Sequence, residues 1–474
     1  MKHTVPGPKG VPFFGVSHKI NKRTVLRYFK ELNDTYGDLI KIPGVHGDAY
    51  IVVHPEDLSQ IFRGEGEPKL FKKAPLYDKL KPILGDSLLT TEGEPWKRQR
   101  QLAQPQFHPK NLTSMIQIIS DSADKMVWKW KMRSISQQTF DVHEDFMHFT
   151  MDVVTRTLLG SDLDSSQMQT LDHCFRVVQD FVSDSYWDIF PLPLSVPTRR
   201  NRMLKSAVKE LDELFYGMIA ERRRSGEQRE DLLAKLMQAA DDKGHMSERQ
   251  LRDEVVTMFL AGHETTAIAL SWSIYFYTQE RERRALLDQE IQAVLGDGKF
   301  LPEHIGRLNY TKMFIKESMR LYPPVYFATR TPIEDVKLHG YHVPKNSLLL
   351  IPMWLVHRHP EFWPAPDCFM PERFSADQAT SRNPFAYIPF LAGPHRCIGE
   401  HLAVMESQIA LAKALQIFEV HLVPDQRIEP EALITLRPRF GIQVRLTPRN
   451  HLENTLTDGP SRNVETALVQ TAVQ

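Results

Sequence analysis

The chain has 474 residues, with 59 Lys plus Arg against 59 Asp plus Glu, so its formal net charge is zero. That balance excludes nucleic-acid binding through the whole surface, which needs a basic excess. Its 42% apolar and 25% charged residues exclude wholesale disorder and supply ample core to enclose a ligand. Three cysteines (Cys174, Cys368 and Cys397) are too sparse for a disulfide framework and fit a reducing compartment, so a cytoplasmic location is expected.

Residues 1–30 read as a Pro- and Gly-rich lead-in, with no apolar run long enough for a signal peptide. Asp38–Ile42 and Ala49–Val53 are β-branched runs separated by Gly44 and His46-Gly47-Asp48, the signature of a hairpin. From about 75 to 322 the pattern is mainly helical. The clearest helix opens with the capping box Ser247-x-x-Gln250 and runs to about Glu280, roughly 45 Å. It covers the longest apolar stretch, Val255 to Tyr277. His263 and Glu264 at its centre argue for a helix crossing a core around a site, not for a membrane span. A further helix, Thr311 to Leu321, is stopped by Pro323-Pro324.

Short strand-like runs follow at Val325–Arg330, Val336–His342 and Ser347–Pro352, then a proline-rich irregular stretch from His357 to Phe390. A last helix is expected from near Cys397 to about Phe418, with strand signals at Ile434–Thr435 and Gly441–Leu446. Strand pieces from both ends must close over the helices to pair. The expected fold class is therefore α+β, mainly helical, in one catalytic domain over residues 1–450, with a disordered tail over 451–474.

The segment Phe390-Leu391-Ala392-Gly393-Pro394-His395-Arg396-Cys397-Ile398-Gly399 is a bent loop that delivers a cysteine to the first turn of a helix. Backbone N–H groups and the helix dipole there stabilise a thiolate. Gly393 and Gly399 let a large flat group approach the backbone. A thiolate so held suits the axial position of haem iron. A buried cysteine without a role, or a non-haem metal site built on His395, Cys397 and His401, are the other readings of this segment; the latter lacks an evident fourth ligand. On the long helix stands Ala261-Gly262-His263-Glu264-Thr265-Thr266. A mid-helix Thr265 hydroxyl can bond back to the Ala261 carbonyl and loosen the ladder, with Gly262 lowering the cost of a bend. Glu264 offers a titratable carboxylate. Glu317-x-x-Arg320 shares one helical face, and Pro371-Glu372-Arg373-Phe374 follows. Trp96-x-x-x-Arg100 places two donors on one face.

The cysteine loop resembles the haem-binding loop of the cytochrome P-450 superfamily, and the helix pattern resembles that family's oxygen-binding segment. The resemblance spans about Gly7 to Pro448. It implies a cytochrome P-450 fold with the long helix over the haem, a small β-rich region, and a soluble, bacterial-type member. It further implies haem b with Cys397 as proximal thiolate and metal ligand. Trp96, Arg100, Arg330, His395, Phe390 and Gly399 would bind the cofactor. Glu264 and Thr265 would deliver protons during oxygen activation. Glu317, Arg320 and Arg373 would lock the segment behind the haem. His395 stands where the family most often has Arg, which puts its propionate contact in doubt.

The implied activity is monooxygenation: one oxygen atom of O2 enters a lipophilic or aromatic substrate, such as a fatty acid, terpenoid or carotenoid-like molecule. Ala261, Val325, Phe327 and Leu436 are the expected pocket walls, with Tyr186–Leu194 as a lid. Electrons are expected ultimately from NAD(P)H through a separate ferredoxin or flavodoxin and its reductase, steered by Lys97, Arg98, Arg100, Lys110 and Arg396. A monomer without a transmembrane anchor is expected. The alternative function is a peroxide-using haem-thiolate enzyme (a peroxygenase, isomerase or dehydratase). Such relatives usually lose the acid–alcohol pair that this chain keeps.

Overall fold

Ser247 starts the longest helix by accepting a hydrogen bond from the Gln250 backbone N–H at 3.2 Å. The helix runs Glu248–Gln279, about 48 Å at the usual rise. Helices Val142–Leu159, Arg199–Ser225, Asn309–Leu321 and Glu400–Ile417 pack around it. The computed structural model describes residues 4–449 apart from 12, 46, 67–68, 161–162, 188–191, 227–228, 230 and 243. Part of the expected lid, Asp188 to Pro191, and the expected tail from 451 lie outside the described residues. Among the described residues, no helix is long and apolar enough to cross a membrane.

The β-rich part is built from both ends of the chain, as expected. A five-stranded sheet runs in the order Leu39–Gly44, Gly47–Val52, Leu348–Ile351, Ala328–Pro332, Phe71–Lys73. All its pairings are antiparallel except the parallel one between Leu348–Ile351 and Gly47–Val52. Its register sets Arg330 directly opposite Lys73, two cations on adjacent buried strands. A second sheet joins Phe418–Leu422, Gln443–Pro448 and Phe140–Asp141. Apolar side chains gather into a helical core and a smaller core beneath the five-stranded sheet.

Several boundaries differ from expectation. Helix Val25–Tyr36 begins inside the supposed lead-in, because Val25, Tyr28, Phe29 and Leu32 form one buried face despite their Pro- and Gly-rich surroundings. Strand Phe71–Lys73 is too short and too basic to announce itself. The signal at Ile434–Thr435 resolves into strand Leu436–Pro438, paired with Pro430–Ala432. The last helix begins at Glu400, with Gly399 as its N-cap.

Candidate functional site

The cysteine loop is folded by its own backbone. Cys397 N–H donates to the Phe390 carbonyl at 2.9 Å, and Arg396 N–H to that of Gly393 at 3.2 Å. Gly393 has φ +68°, and a Cβ there would lie 2.3 Å from the Phe62 carbonyl oxygen, so only glycine fits. A Cβ on Gly399 would sit 3.8 Å from the Cys397 sulfur. Burial pushes the Cys397 thiol up; the N–H groups of Gly399 and Glu400 and the Arg100 guanidinium pull it back toward thiolate. Cys397 is an exposed residue, not packed over by its neighbours.

The central helix carries a matching open stripe. Most of its residues are buried, yet Ala261 is exposed and Gly262, Glu264 and Thr265 are half-open in mid-helix. The expected back-bond is present: Thr265 Oγ1 donates to the Ala261 carbonyl at 2.7 Å. The expected opening of the ladder is not, since the helix is continuous through this point. A Cβ at Gly262 would make only an ordinary contact with Val154 at 3.5 Å, so space is no constraint there. Neighbouring His263 is buried with Nε2 3.0 Å from the Met147 carbonyl, and burial lowers its pKa to about 4, which keeps the ring neutral.

Glu264 has two partners that the sequence did not announce. Thr435 Oγ1 donates to its Oε1 at 2.8 Å, and Gln179 Nε2 donates to the same oxygen. Burial pushes the carboxyl up, opposed by Thr435, Arg437 and Gln179. No local pattern could reveal these contacts, because the partners lie 171 and 85 residues away.

The expected cofactor donors converge on one polar region. Trp96 is buried, its ring centroid 4.1 Å from that of His395. Arg100 Nη1 donates to the Arg396 carbonyl at 2.6 Å, tying the helix of Trp96 to the cysteine loop. Arg330 and His395 meet on a residue the sequence reading missed, Glu65: Arg330 Nε donates to its Oε1, and His395 Nδ1 lies 2.9 Å from its Oε2. Lys73 donates to the carbonyls of Leu88 (2.9 Å) and Thr91 (3.0 Å), and Glu92 accepts from Lys69 and from the Lys73 backbone N–H. Two buried nitrogens here, Arg330 Nη2 and His395 Nε2, have no hydrogen-bond partner. Buried polar atoms normally find one. An exposed cysteine and unpaired basic nitrogens fit a bound group carrying both a metal and carboxylates.

Behind the loop, Glu317 and Arg320 are fully buried and paired at 2.7 and 2.8 Å, with Arg373 Nε 3.4 Å from Glu317. Arg320 also donates to the carbonyls of His357, Pro366 and Cys368. The three residues come together as expected.

Other expectations fare differently. Val325 and Phe327 are half-buried, but Leu436 is fully buried and presents no wall; its backbone is pinned between Pro324 and the Trp272 indole. Arg98 does not join the basic cluster, because it turns to Asp241, Gly244 and Gln250. Lys97 pairs with Glu94 and Arg396 with Glu400. Away from the site, Asp38, His54 and His359 bring ligand-type atoms within 4.8 Å of one another. His54 Nδ1 already accepts the Glu56 N–H at 3.2 Å, which leaves the proton on Nε2 and removes the lone pair a cation would need.

The cytochrome P-450 family model matches residues 5–444. Cyclooctatin synthase of Streptomyces melanosporofaciens is 30% identical over 439 residues, covering 92% of this chain and 94% of its own. Cyclooctat-9-en-7-ol 5-monooxygenase of the same organism is 31% identical over 424 residues, covering 89% and 90%. In fold, the crystal structure of the cytochrome P450DA heme domain superposes with a TM-score of 0.85 at 22% identity, covering 95% of this chain and 99% of that one. With a family match over nearly its whole length, an open cysteine at a helix N-terminus and an acid–alcohol pair on the helix through its core, the chain belongs to the cytochrome P-450 family of haem-thiolate oxygenases.

Proposed function

We propose that Cys397 is the proximal ligand of haem b and that Glu264 and Thr265 manage protons for insertion of one oxygen atom of O2 into a lipophilic or aromatic substrate. Electrons come ultimately from NAD(P)H through a separate ferredoxin or flavodoxin with its reductase. Haem bound through a thiolate supplies the electron-rich iron at which dioxygen is activated. The observation that carries the reading is the exposed Cys397, whose thiol is backed by the N–H groups of Gly399 and Glu400.

The chain's own residues divide the remaining work. Trp96, Arg100, Arg330 and His395 would hold the carboxylate side of the haem, while Phe390 and Gly399 shape the loop against its face. Thr265 donates to Ala261, which leaves its oxygen lone pairs free to accept a proton-bearing donor. Both donors to Glu264 reach Oε1, which leaves Oε2 as the oxygen free to take a proton, and burial pushes this carboxyl toward its protonated form. An acid held protonated beside a hydroxyl is a proton source. Glu317, Arg320 and Arg373 keep the segment behind the cysteine loop in place.

Half-buried Val325 and Phe327 support an apolar substrate. So does the relative whose name gives it an alkenol, cyclooctat-9-en-7-ol, to oxidise.

The test is the absorption spectrum of the reduced, CO-bound protein. A red-shifted Soret band that Cys397→Ala abolishes is expected; a band at the ordinary globin position overturns thiolate ligation. Turnover that needs reductant and stops with Glu264→Gln or Thr265→Ala is expected. Turnover driven by peroxide alone, indifferent to both substitutions, overturns the proton-relay role.

A further inference from the structure

Glu65 follows helix Pro55–Arg63 on a turn stapled by its neighbours. The Gly64 carbonyl accepts from the N–H groups of both Leu70 (2.7 Å) and Phe71 (3.0 Å), and Gly66 N–H donates to the Arg63 carbonyl at 3.1 Å. The turn sends a carboxylate into the interior, where its side chain has no exposed surface. Burying a carboxylate is costly unless it is fully paired. Glu65 is paired on both oxygens, with Arg330 of the five-stranded sheet on Oε1 and His395 of the cysteine loop on Oε2.

Arg330 makes the arrangement informative. Its guanidinium has five N–H groups in a rigid fork. Nε goes to Glu65 and Nη1 to the Thr329 carbonyl at 2.9 Å; the guanidinium lies 5.3 Å from the Phe62 ring. Nη2 is buried and makes no hydrogen bond, although the Tyr77 side chain nearby also favours the charged guanidinium. The strand register also sets Arg330 beside Lys73, whose pKa falls to about 7 through burial and, in smaller part, through repulsion from Arg330. Without Glu65 two cations would face each other in the sheet, and the fork would keep the Thr329 carbonyl but lose the carboxylate that holds its Nε.

We propose that Glu65 is a positioning residue for the haem carboxylates. It fixes the Arg330 fork so that Nη2 meets a propionate, and it ties that strand to the cysteine loop through His395. One buried carboxylate thus joins the metal-ligand loop to the propionate donor and places a negative charge at the haem edge. This rests on the haem-thiolate reading above and goes beyond it in assigning the second layer of the site.

The test compares wild type, Glu65→Gln and Glu65→Asp as haem-loaded proteins, with two readouts other than turnover: the rate of haem loss to a scavenging apoglobin and the midpoint reduction potential. For Glu65→Gln, haem loss is expected to accelerate on the order of 10-fold, as for other residues that orient a ligand set. Its potential is expected to shift positive, because a negative charge is removed. Glu65→Asp keeps the charge but is one methylene short of spanning both partners. It is expected to lose haem several-fold faster while keeping a near-wild-type potential, and it carries the test if the Gln variant does not fold. Wild-type haem loss in either variant overturns the positioning role. A Gln potential equal to wild type overturns the charge role. If wild type itself lacks the red-shifted CO band, the haem-thiolate reading fails; if that band is intact and the variants behave as wild type, only the Glu65 assignment fails.

Discussion

Replacing Glu317 by Gln tests whether the buried ion triad holds the segment behind the cysteine loop. The substitution keeps shape and keeps an acceptor for the Met370 N–H, now 2.8 Å from Glu317 Oε1. It removes the charge that two arginines face. Arg320 loses one of two charge-assisted bonds, and Arg373 loses its carboxylate neighbour at 3.4 Å. Each hydrogen bond to a charged group contributes about 1.5–3 kcal/mol, and stripping one partner from a buried pair costs about 3–5 kcal/mol. Arg320 has no exposed surface and cannot recover the loss from water. The expected destabilisation is therefore about 3–4 kcal/mol, a large share of an ordinary stability of about 5–15 kcal/mol. Arg320→Leu is expected to cost more. It orphans Glu317 and three carbonyls (that of buried His357 and those of Pro366 and Cys368), none of which a leucine can satisfy. Urea unfolding of haem-free protein, followed by circular dichroism, measures both without the contribution of bound haem. A loss below about 1 kcal/mol for Glu317→Gln, or a milder effect of Arg320→Leu, would refute the reasoning.

Two further outcomes concern titration. Burial raises the Glu254 carboxyl to about 8, although the Leu88 N–H donates to both its oxygens at 3.2 Å. The folded state then holds a proton that the unfolded chain releases near 4.5, so stability falls as pH rises from about 4.5 to about 8. Glu254→Gln is expected to flatten that slope and to gain about 2–4 kcal/mol over wild type at pH 8, with little change near pH 4.5; parallel unfolding curves at the two pH values would contradict it. At Glu264, the Thr435 hydroxyl favours the ionised form against burial. Thr435→Val therefore raises this pKa, keeps the acid protonated to higher pH, and moves the alkaline limb of product formed per electron upward; an unmoved limb would remove Thr435 from the relay.

What the sequence disclosed follows a physical division. The cysteine loop was legible because conformation forced residue choice at Gly393, where a positive φ and the Phe62 carbonyl leave no room for a side chain. The start of the central helix was legible because Ser247 and Gln250 meet within one turn. Glu65 was not legible: its partners are 265 and 330 residues away, and an isolated Gly-Glu-Gly reads as an exposed turn. Leu436 was expected as a pocket wall from family position alone, which does not disclose that its side chain is fully buried here. Arg98 was misplaced because the short hairpin bearing Asp241 carries little signal of its own.

Two clusters of buried charge in this chain reach from regular elements to irregular backbone. Helices and sheets satisfy their own N–H and C=O groups; the loop around His357 to Cys368 cannot, and three of its carbonyls turn inward with no ladder to join. An arginine fork is the side chain with enough donors to collect them, and a guanidinium buried that deeply requires a carboxylate, which Glu317 supplies from the same helix face. The cluster of Glu65, Arg330 and His395 repeats the solution where the turn after Arg63 and the cysteine loop converge, with one difference. The Glu317–Arg320 pair closes on itself, with every nitrogen of the Arg320 guanidinium bonded, whereas the Glu65 cluster leaves Arg330 Nη2 and His395 Nε2 without a hydrogen bond, the latter 3.7 Å from Glu92 Oε1. Arg373 Nε, at the edge of the lock, also lacks a hydrogen bond, but it faces the Glu317 carboxylate at 3.4 Å. The distal side shows the complementary choice. There His263 is kept neutral by burial, Glu264 is held toward its protonated form, and Thr265 folds its hydroxyl onto its own helix. On the proposed reading, the unpaired cationic side would meet carboxylates and the Glu264 side would handle protons, and the Glu65 and Thr435 variants test the two sides separately.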